Sequence, residues 1–111
     1  IGLRTTGILT EQTRALRRRM VLRAFRASER SGAYWNIASE TGAYALADPI
    51  VGDTELTKQL QFVRTRLNSF SPQEQGHLMN WGYAIADTAI RRWVSPQPPG
   101  DWSWPVPEFP L

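Results

Sequence analysis

Hydrophobic and polar residues follow a helical period near the start of the chain. From about Thr10 to Ser28 the residues favour helix, with no Gly or Pro among them. Apolar residues recur at spacings of seven, four and four, and others widen the stripe: Leu9, Leu16, Met20 and Ala24, beside Val21, Leu22 and Phe25. Arginines fall largely on other faces: Arg14, Arg17, Arg18 and Arg26. The pattern predicts a basic amphipathic helix that Gly32 helps to end and whose apolar side needs a partner.

A short aromatic segment follows this helix. Ala33–Ile37 reads Ala-Tyr-Trp-Asn-Ile and is bounded by Gly32 and Gly42, which predicts a brief strand or extended segment. Between residues 39 and 53, glycine and proline favour an irregular connection with Tyr44 and Leu46 as apolar anchors.

Two further helices are predicted in the second half. Asp53 or Thr54 can cap a helix that runs to about Asn68, because apolar residues recur there at spacings of four, three and four. Ser71-Pro72-Gln73-Glu74 has a serine at the N-cap, a proline at the first helical position and a glutamate three residues after the cap. This second start predicts a helix of about 34 Å ending near Val94.

The third helix is apolar on more than one face. One stripe contains Leu78, Trp81, Ile85 and Ala89, and the adjoining stripe contains Met79, Tyr83, Ala86, Ile90 and Trp93. Such a helix normally lies between other elements. From Ser95 onward six prolines exclude regular helix and favour an extended tail, which Trp102, Trp104 and Phe109 could fasten down.

Composition removes several kinds of chemistry. The chain has 111 residues, no cysteine and a single histidine, so thiolate and histidine-cluster metal sites are excluded. No run of about 18 apolar residues occurs, as a membrane-spanning helix would require. Residues 1–7 contain neither an export nor a transit pattern, and the chain is expected to begin inside a longer polypeptide.

Candidate catalytic residues are few. None of the seven serines has the Gly-x-Ser-x-Gly context of a strained nucleophile turn, and no glycine-rich stretch offers an oxyanion hole. His77 is the sole candidate imidazole base, and an ordinary helical role is favoured for it. Asp48 and Asp87 are candidate bases, for which hydrogen bonding or a salt bridge is favoured.

Positive charge is concentrated in one segment. Residues 1–30 hold eight arginines against Glu11 and Glu29, whereas the rest of the chain holds five basic and eight acidic residues. The arginines between Arg14 and Arg30 could neutralise phosphates of nucleic acid or anionic lipid. We favour the alternative that they form a solvated helix face that pairs with carboxylates. Trp102 and Trp104 could dip into a membrane interface or pack on their own protein.

Three stretches, in order, resemble the C-terminal region of bacterial patatin-like phospholipases. The first is Glu11–Arg19. The second joins Gly32–Ile37 with Tyr44-Ala-Leu-Ala-Asp48. The third is Thr65-Arg-Leu67 followed by Asn80-Trp-Gly-Tyr-Ala-Ile-Ala-Asp87. Together they lie within about residues 9–94, and the Asn-Trp-Gly-Tyr segment with the preceding Thr-Arg-Leu is the most specific part.

The resemblance implies a fold and a domain division. The chain is expected to be a mainly α fragment, with about three helices, one short strand and a Pro/Trp-rich tail, belonging to a larger three-layer α/β fold. Residues 1–94 would form a C-terminal helical flank and residues 95–111 the tail. Trp35, Tyr44, Trp81 and Tyr83 would be packing residues, because aromatic side chains bury large areas.

The same resemblance implies a parent enzyme that cleaves lipid acyl esters with a Ser-Asp dyad and no cofactor. The dyad would lie upstream of Ile1, so no catalytic, cofactor-binding or metal residue is assigned here, and this part alone is expected to be inactive. Its partners would be the upstream catalytic core and lipid, in the bacterial cytoplasm or at the membrane periphery.

Two alternatives remain open at the level of the sequence. A small basic helical module could bind nucleic acid or an anionic membrane surface through its first helix, with nucleic acid the less expected partner. An adaptor could instead present residues 96–110 as a proline-rich ligand.

Overall fold

The computed structural model describes residues 2–63 and 69–111, and this part of the chain is mainly helical. The α-helices are α1 (Gly2–Arg26), α2 (Glu55–Gln59) and α3 (Pro72–Trp93), and 3₁₀-helices occur at Thr41–Tyr44 and Leu60–Phe62. The chain divides into two compact units, Ile1–Gly32 and Ala33–Leu111. The predicted mainly α character is confirmed.

α1 begins earlier than the predicted Thr10 and ends at Arg26 rather than Ser28. Ser28 adopts a left-handed conformation with φ 58°. Its N–H bonds Phe25 O at 3.2 Å and the N–H of Glu29 bonds Ala24 O at 3.0 Å, which is the Schellman closure of a helix C-terminus. The prediction that Gly32 ends this helix is therefore wrong, because the reversal occurs four residues earlier.

Gly32 has a different role, which is close packing. A Cβ at this position would lie 2.8 Å from Cζ of Phe25, too close for a side chain without movement of the ring. The chain that leaves α1 thus passes over the half-buried Phe25.

Of the two alternatives predicted for Ala33–Ile37, the strand is wrong, because no strand occurs in the described residues. A strand needs a neighbouring chain for its ladder, and local side-chain bonds take its place here. Asn36 N–H donates to Ser39 Oγ at 2.9 Å, and Ala38 N–H donates to Asn36 Oδ1 at 2.8 Å. These bonds turn the chain after Asn36 and compete with extended pairing.

Asp53 and Thr54, the two candidates for the cap of the second helix, have different roles in the structure. Thr54 is the N-cap of α2, and its side chain and that of Thr57 form a reciprocal capping box. The Asp53 carboxylate instead accepts the backbone N–H groups of Thr41 at 2.7 Å and Gly42 at 2.9 Å. It therefore satisfies free donors at the start of the 3₁₀-helix Thr41–Tyr44.

The second helix is shorter than predicted. α2 ends at Gln59, a 3₁₀-helix follows at Leu60–Phe62, and Val63 adopts an extended conformation with ψ 132°. Extension through Val63 is thus wrong, and residues 64–68 of the prediction lie outside the described residues. The spacing of apolar residues is necessary for a helix but does not fix its length.

α3 organises the core of the second unit. Its Ser71 N-cap and Glu74 form the predicted capping box, Pro72 occupies the first turn, and Val94 is the C-cap. Its buried face contributes Trp81, Ala84 and Ile85, which pack with Leu60 of the 3₁₀-helix. Partly buried apolar residues surround this cluster: Tyr44, Ile50, Val51, Val63, Leu78, Trp104 and Leu111.

The tail lacks regular secondary structure, as predicted, and folds back onto α3. Trp104 packs on the core cluster. The ring of Trp102 meets the ring of Trp104 edge-on, with centroids 5.0 Å apart. A Cβ at Gly76 of α3 would lie 2.6 Å from Cδ2 of Phe109, so the glycine allows the ring to approach the helix. The predicted anchoring role of these aromatic residues is confirmed.

The aromatic residues that were expected to pack do so to different extents. Trp81 is buried and donates its indole N–H to Ile37 O at 3.0 Å. Tyr44 packs on the core and donates its hydroxyl to Tyr34 O at 2.6 Å. Tyr83 and Trp35 remain partly exposed, and Tyr83 stacks against Trp102 at 6.4 Å.

Candidate functional site

Arg91 lies at the centre of a charged cluster near the end of α3. Its Nε donates to Asp87 Oδ2 at 2.9 Å, one helical turn earlier. Its other nitrogens donate to Asp48, from NH1 to Oδ1 at 3.0 Å and from NH2 to the backbone oxygen at 2.8 Å. The Arg91 side chain is only 7% exposed. A planar guanidinium with several fixed donors suits such a buried junction.

Asp48 and Asp87 are the two candidate carboxylate bases of the sequence. Both carboxylates bind the same guanidinium, so the favoured prediction of a salt bridge is confirmed for each. Arg92 adds a bond from Nε to Tyr44 O at 2.8 Å. Adjacent arginines thus attach the 44–48 loop to the last turns of α3.

An open cleft of about 270 Å³ lies beside this cluster. It is lined by Leu46, Asp48, Arg91 and residues 96–98. The hydrogen bonds of Arg91 are already directed to Asp48 and Asp87. The arrangement is suited to holding the loop rather than to binding an anion.

His77 packs against the tail. The residue is 9% exposed, and its ring meets that of Phe109 edge-on, with centroids 5.9 Å apart and planes at 80°. The structure therefore places it in the contact between α3 and the tail, in agreement with the favoured structural role.

The serine hydroxyls with described hydrogen bonds serve the backbone. Ser39 Oγ accepts from Asn36 N–H, and Ser71 Oγ accepts from Glu74 N–H at 3.1 Å. Within the described residues, no group of three His, Cys, Asp or Glu side chains is arranged to hold a metal ion.

Sequence reasoning missed two residues that position this unit. Asn80 is fully buried, donates from Nδ2 to the backbone oxygens of Val106 and Phe109 at 2.8 Å each, and accepts from Val106 N–H at 2.9 Å. Arg91 is the other. Asn80 lies four residues from both Gly76 and Ala84, so its place on the small-residue face of α3 was the available signal.

α3 also presents an apolar stripe away from the core. Met79, Tyr83, Ile90 and Trp93 recur at helical spacing and are all exposed. Arg92 covers part of Trp93, with its guanidinium carbon 4.2 Å from the ring centroid. The prediction that more than one face of this helix is apolar is confirmed.

α1 presents a second exposed surface, defined here as the α1 stripe of Leu9, Leu16 and Met20. All three side chains are exposed, as are the arginines of residues 11–26: Arg14, Arg17, Arg18, Arg19, Arg23 and Arg26. Glu11 pairs with Arg14 at 3.4 Å, and both are largely in solvent, where such a pair contributes little. None of the described helices is long and apolar enough to cross a membrane.

Comparison with protein-family models, curated proteins and solved structures finds no match to the chain. The resemblance to patatin-like phospholipases therefore rests on the sequence stretches alone and stays a prediction.

Proposed function

We propose that the chain is the C-terminal structural part of a patatin-like phospholipase whose catalytic residues lie elsewhere in the same polypeptide. In the parent enzyme a serine would attack the lipid acyl ester while an aspartate takes its proton, and an acyl-enzyme would form that water hydrolyses. No residue of this chain takes part in those steps. Its work is to support the catalytic core.

The α3 stripe is the observation that most supports this proposal. Soluble proteins usually cover apolar side chains that recur along one helical face. Met79 is 57% and Trp93 55% exposed on the face opposite the core. A catalytic layer that packs on this face would bury both faces of α3, as expected for a helix inside a larger α/β fold.

Two of the stretches of resemblance, the second and the third, also meet in space. Asp48 and Asp87 end two of them and bind the same guanidinium. Trp81, from the most specific stretch, bonds Ile37 at the end of another. Residues of the second and third stretches therefore lie together in the second unit, as expected if both belong to one structural part of the parent enzyme.

The direct test is to determine the coding sequence in frame upstream of Ile1. The proposal expects an Asp-Gly-Gly or Asp-Gly-Ala motif and, further upstream, a Gly-x-Ser-x-Gly motif, because these motifs carry the aspartate and the serine in the family that the chain resembles. A start codon immediately ahead of Ile1 would overturn the proposal and leave the basic binding module as the hypothesis.

A second test uses the 111-residue chain itself. We expect it to bind a hydrophobic dye, because Met79 and Ile90 of the apolar stripe of α3 are exposed. We expect it to lack esterase activity, because the proposed catalytic residues lie outside this chain. Replacing Met79 and Ile90 together by Ser should reduce the dye signal, whereas Lys58→Gln, on the exposed surface of α2, should not. Dye binding equal to background in the unmodified chain would contradict the proposed uncovered interface.

A further inference from the structure

We propose that α1 is a lipid-surface helix, which lies in the interface of an anionic bilayer with the α1 stripe in the acyl region. This inference is independent of the proposed hydrolase. It rests on the exposure of the stripe, the placement of the arginines around it and the sign of the charge.

The stripe has the geometry of an interfacial helix. At 3.6 residues per turn, Leu9, Leu16 and Met20 lie within about 40° of one another around the axis. Arg17 and Arg19 lie about 60° to either side of the stripe by the same arithmetic. Long arginine side chains in that position can extend to headgroup phosphates while their methylene groups cover the apolar boundary. Helices that bind membranes in this way combine an apolar face with a basic polar face.

Charge complementarity identifies the kind of surface. Six arginines are exposed between residues 11 and 26, and the one acidic residue among these positions is Glu11. Glu11 lies on the face opposite the stripe, where it contacts Arg14. A partner that meets the stripe therefore meets positive charge around it, and anionic headgroups supply the opposite charge.

The apolar stripe distinguishes lipid from nucleic acid. Phosphates of a duplex would pair with the arginines, but the duplex surface offers no apolar region to cover Leu9, Leu16 and Met20. A bilayer interface supplies phosphate and hydrocarbon at adjacent depths. Of these two surfaces, the bilayer is the one that uses the charge and the stripe together.

The test is flotation of the full 111-residue chain with phosphatidylcholine vesicles, with and without phosphatidylglycerol. We expect binding to the vesicles that contain phosphatidylglycerol, and we expect it to weaken as salt is raised. Met20→Ser should weaken it about tenfold, as expected for the loss of one buried apolar side chain. Replacing Arg17 and Arg19 together by Gln should weaken it by about tenfold or more, since each basic residue near an anionic surface contributes about fivefold.

Matched control variants distinguish binding through α1 from nonspecific binding through other exposed side chains. Met79 is 57% exposed and Met20 63%, so Met79→Ser removes a comparable side chain from the other unit. Met79→Ser and Lys58→Gln should change the affinity by less than about twofold, because neither is on α1. Circular dichroism of every variant in solution checks that the helices remain.

Three results would overturn the proposal. One is equal binding to vesicles with and without phosphatidylglycerol. The second is an equal loss from Met20→Ser and Met79→Ser. The third is binding to duplex DNA that Met20→Ser leaves unchanged, together with no flotation, which would assign the arginines to nucleic acid.

Discussion

At the scale of single residues, Arg91 should be the most sensitive charged position of the second unit. Arg91→Ala leaves the partly buried Asp87 without its partner and removes the two bonds from Arg91 to Asp48 in the 44–48 loop. We expect a loss of about 2–3 kcal/mol in the free energy of unfolding, because removing one member of a buried pair leaves the other uncompensated. Urea unfolding followed by tryptophan fluorescence measures it.

Graded variants test whether the guanidinium geometry matters. Arg91→Lys should lose less than Arg91→Ala, since an ammonium keeps the charge but not the three directed bonds. Asp48→Asn should cost about 1 kcal/mol, because the side chain is half exposed and the bond to the Asp48 backbone oxygen remains. Equal losses for Arg91→Lys and Arg91→Ala would show that shape rather than charge is what the site requires.

Asn80 should control the attachment of the tail. Asn80→Asp replaces the amide donor by an oxygen that faces the backbone oxygens of Val106 and Phe109. We expect a loss of about 2–4 kcal/mol and faster proteolysis of the tail, because a buried charge would oppose two acceptors. Mass spectrometry of the fragments locates the cleavage.

The matched control is Asn36→Asp. Its Oδ1 accepts from Ala38 N–H, and the Tyr34 hydroxyl can turn to donate to the new carboxylate. This change should cost less than about 0.5 kcal/mol. Slow proteolysis of the Asn80→Asp tail, at the rate of the unmodified chain, would mean that Trp104 and Phe109 hold it without the amide.

At the scale of elements, the start of α3 is fixed by a local signal that can be tested. Ser71→Ala removes the cap of Glu74 N–H and should cost about 1 kcal/mol. Ser71→Asp should restore most of the loss, because a carboxylate both accepts the bond and suits the helix N-terminus. The control Ser103→Ala, on the exposed tail, should change little. Thermal unfolding followed by ellipticity at 222 nm measures the stability of each of these variants.

Elements whose signals are local could be predicted, and elements that depend on distant partners could not. The Ser71 and Thr54 caps act within three residues and appear in the structure where the sequence indicates them. The strand at Ala33–Ile37 fails because its aromatic composition shows burial but not the presence of a pairing partner. The end of α1 depends on Ser28 in a left-handed conformation, which serine adopts less readily than glycine.

The charged cluster shows the same limit across longer separations. Asp87 and Arg91 are four residues apart on one helix, so their contact could be read from spacing. Asp48 reaches Arg91 across 43 residues, and no local pattern encodes that contact. The sequence accordingly favoured a salt bridge for Asp48 without identifying its partner.

At the scale of the whole molecule, the two units differ in what stabilises them. Ala33–Leu111 contains the buried cluster around Trp81 and Ile85, whereas no described side chain of α1 is buried. Most helical stability in proteins comes from packing of an apolar face, and isolated helices are marginal in water. The first unit should therefore be the less stable in solution.

All five tryptophans lie in Ala33–Leu111, which makes this difference measurable in a single urea titration. Tryptophan fluorescence should report one cooperative transition of the second unit, because a buried core is lost as a whole. Ellipticity at 222 nm should begin to fall at lower urea, since the 25 residues of α1 contribute much of the helix. Met20→Ser should leave the fluorescence transition unchanged, as it removes no buried contact there. Superimposable fluorescence and ellipticity curves would instead mean that α1 unfolds with the core, and would contradict the expected difference in stability between the two units.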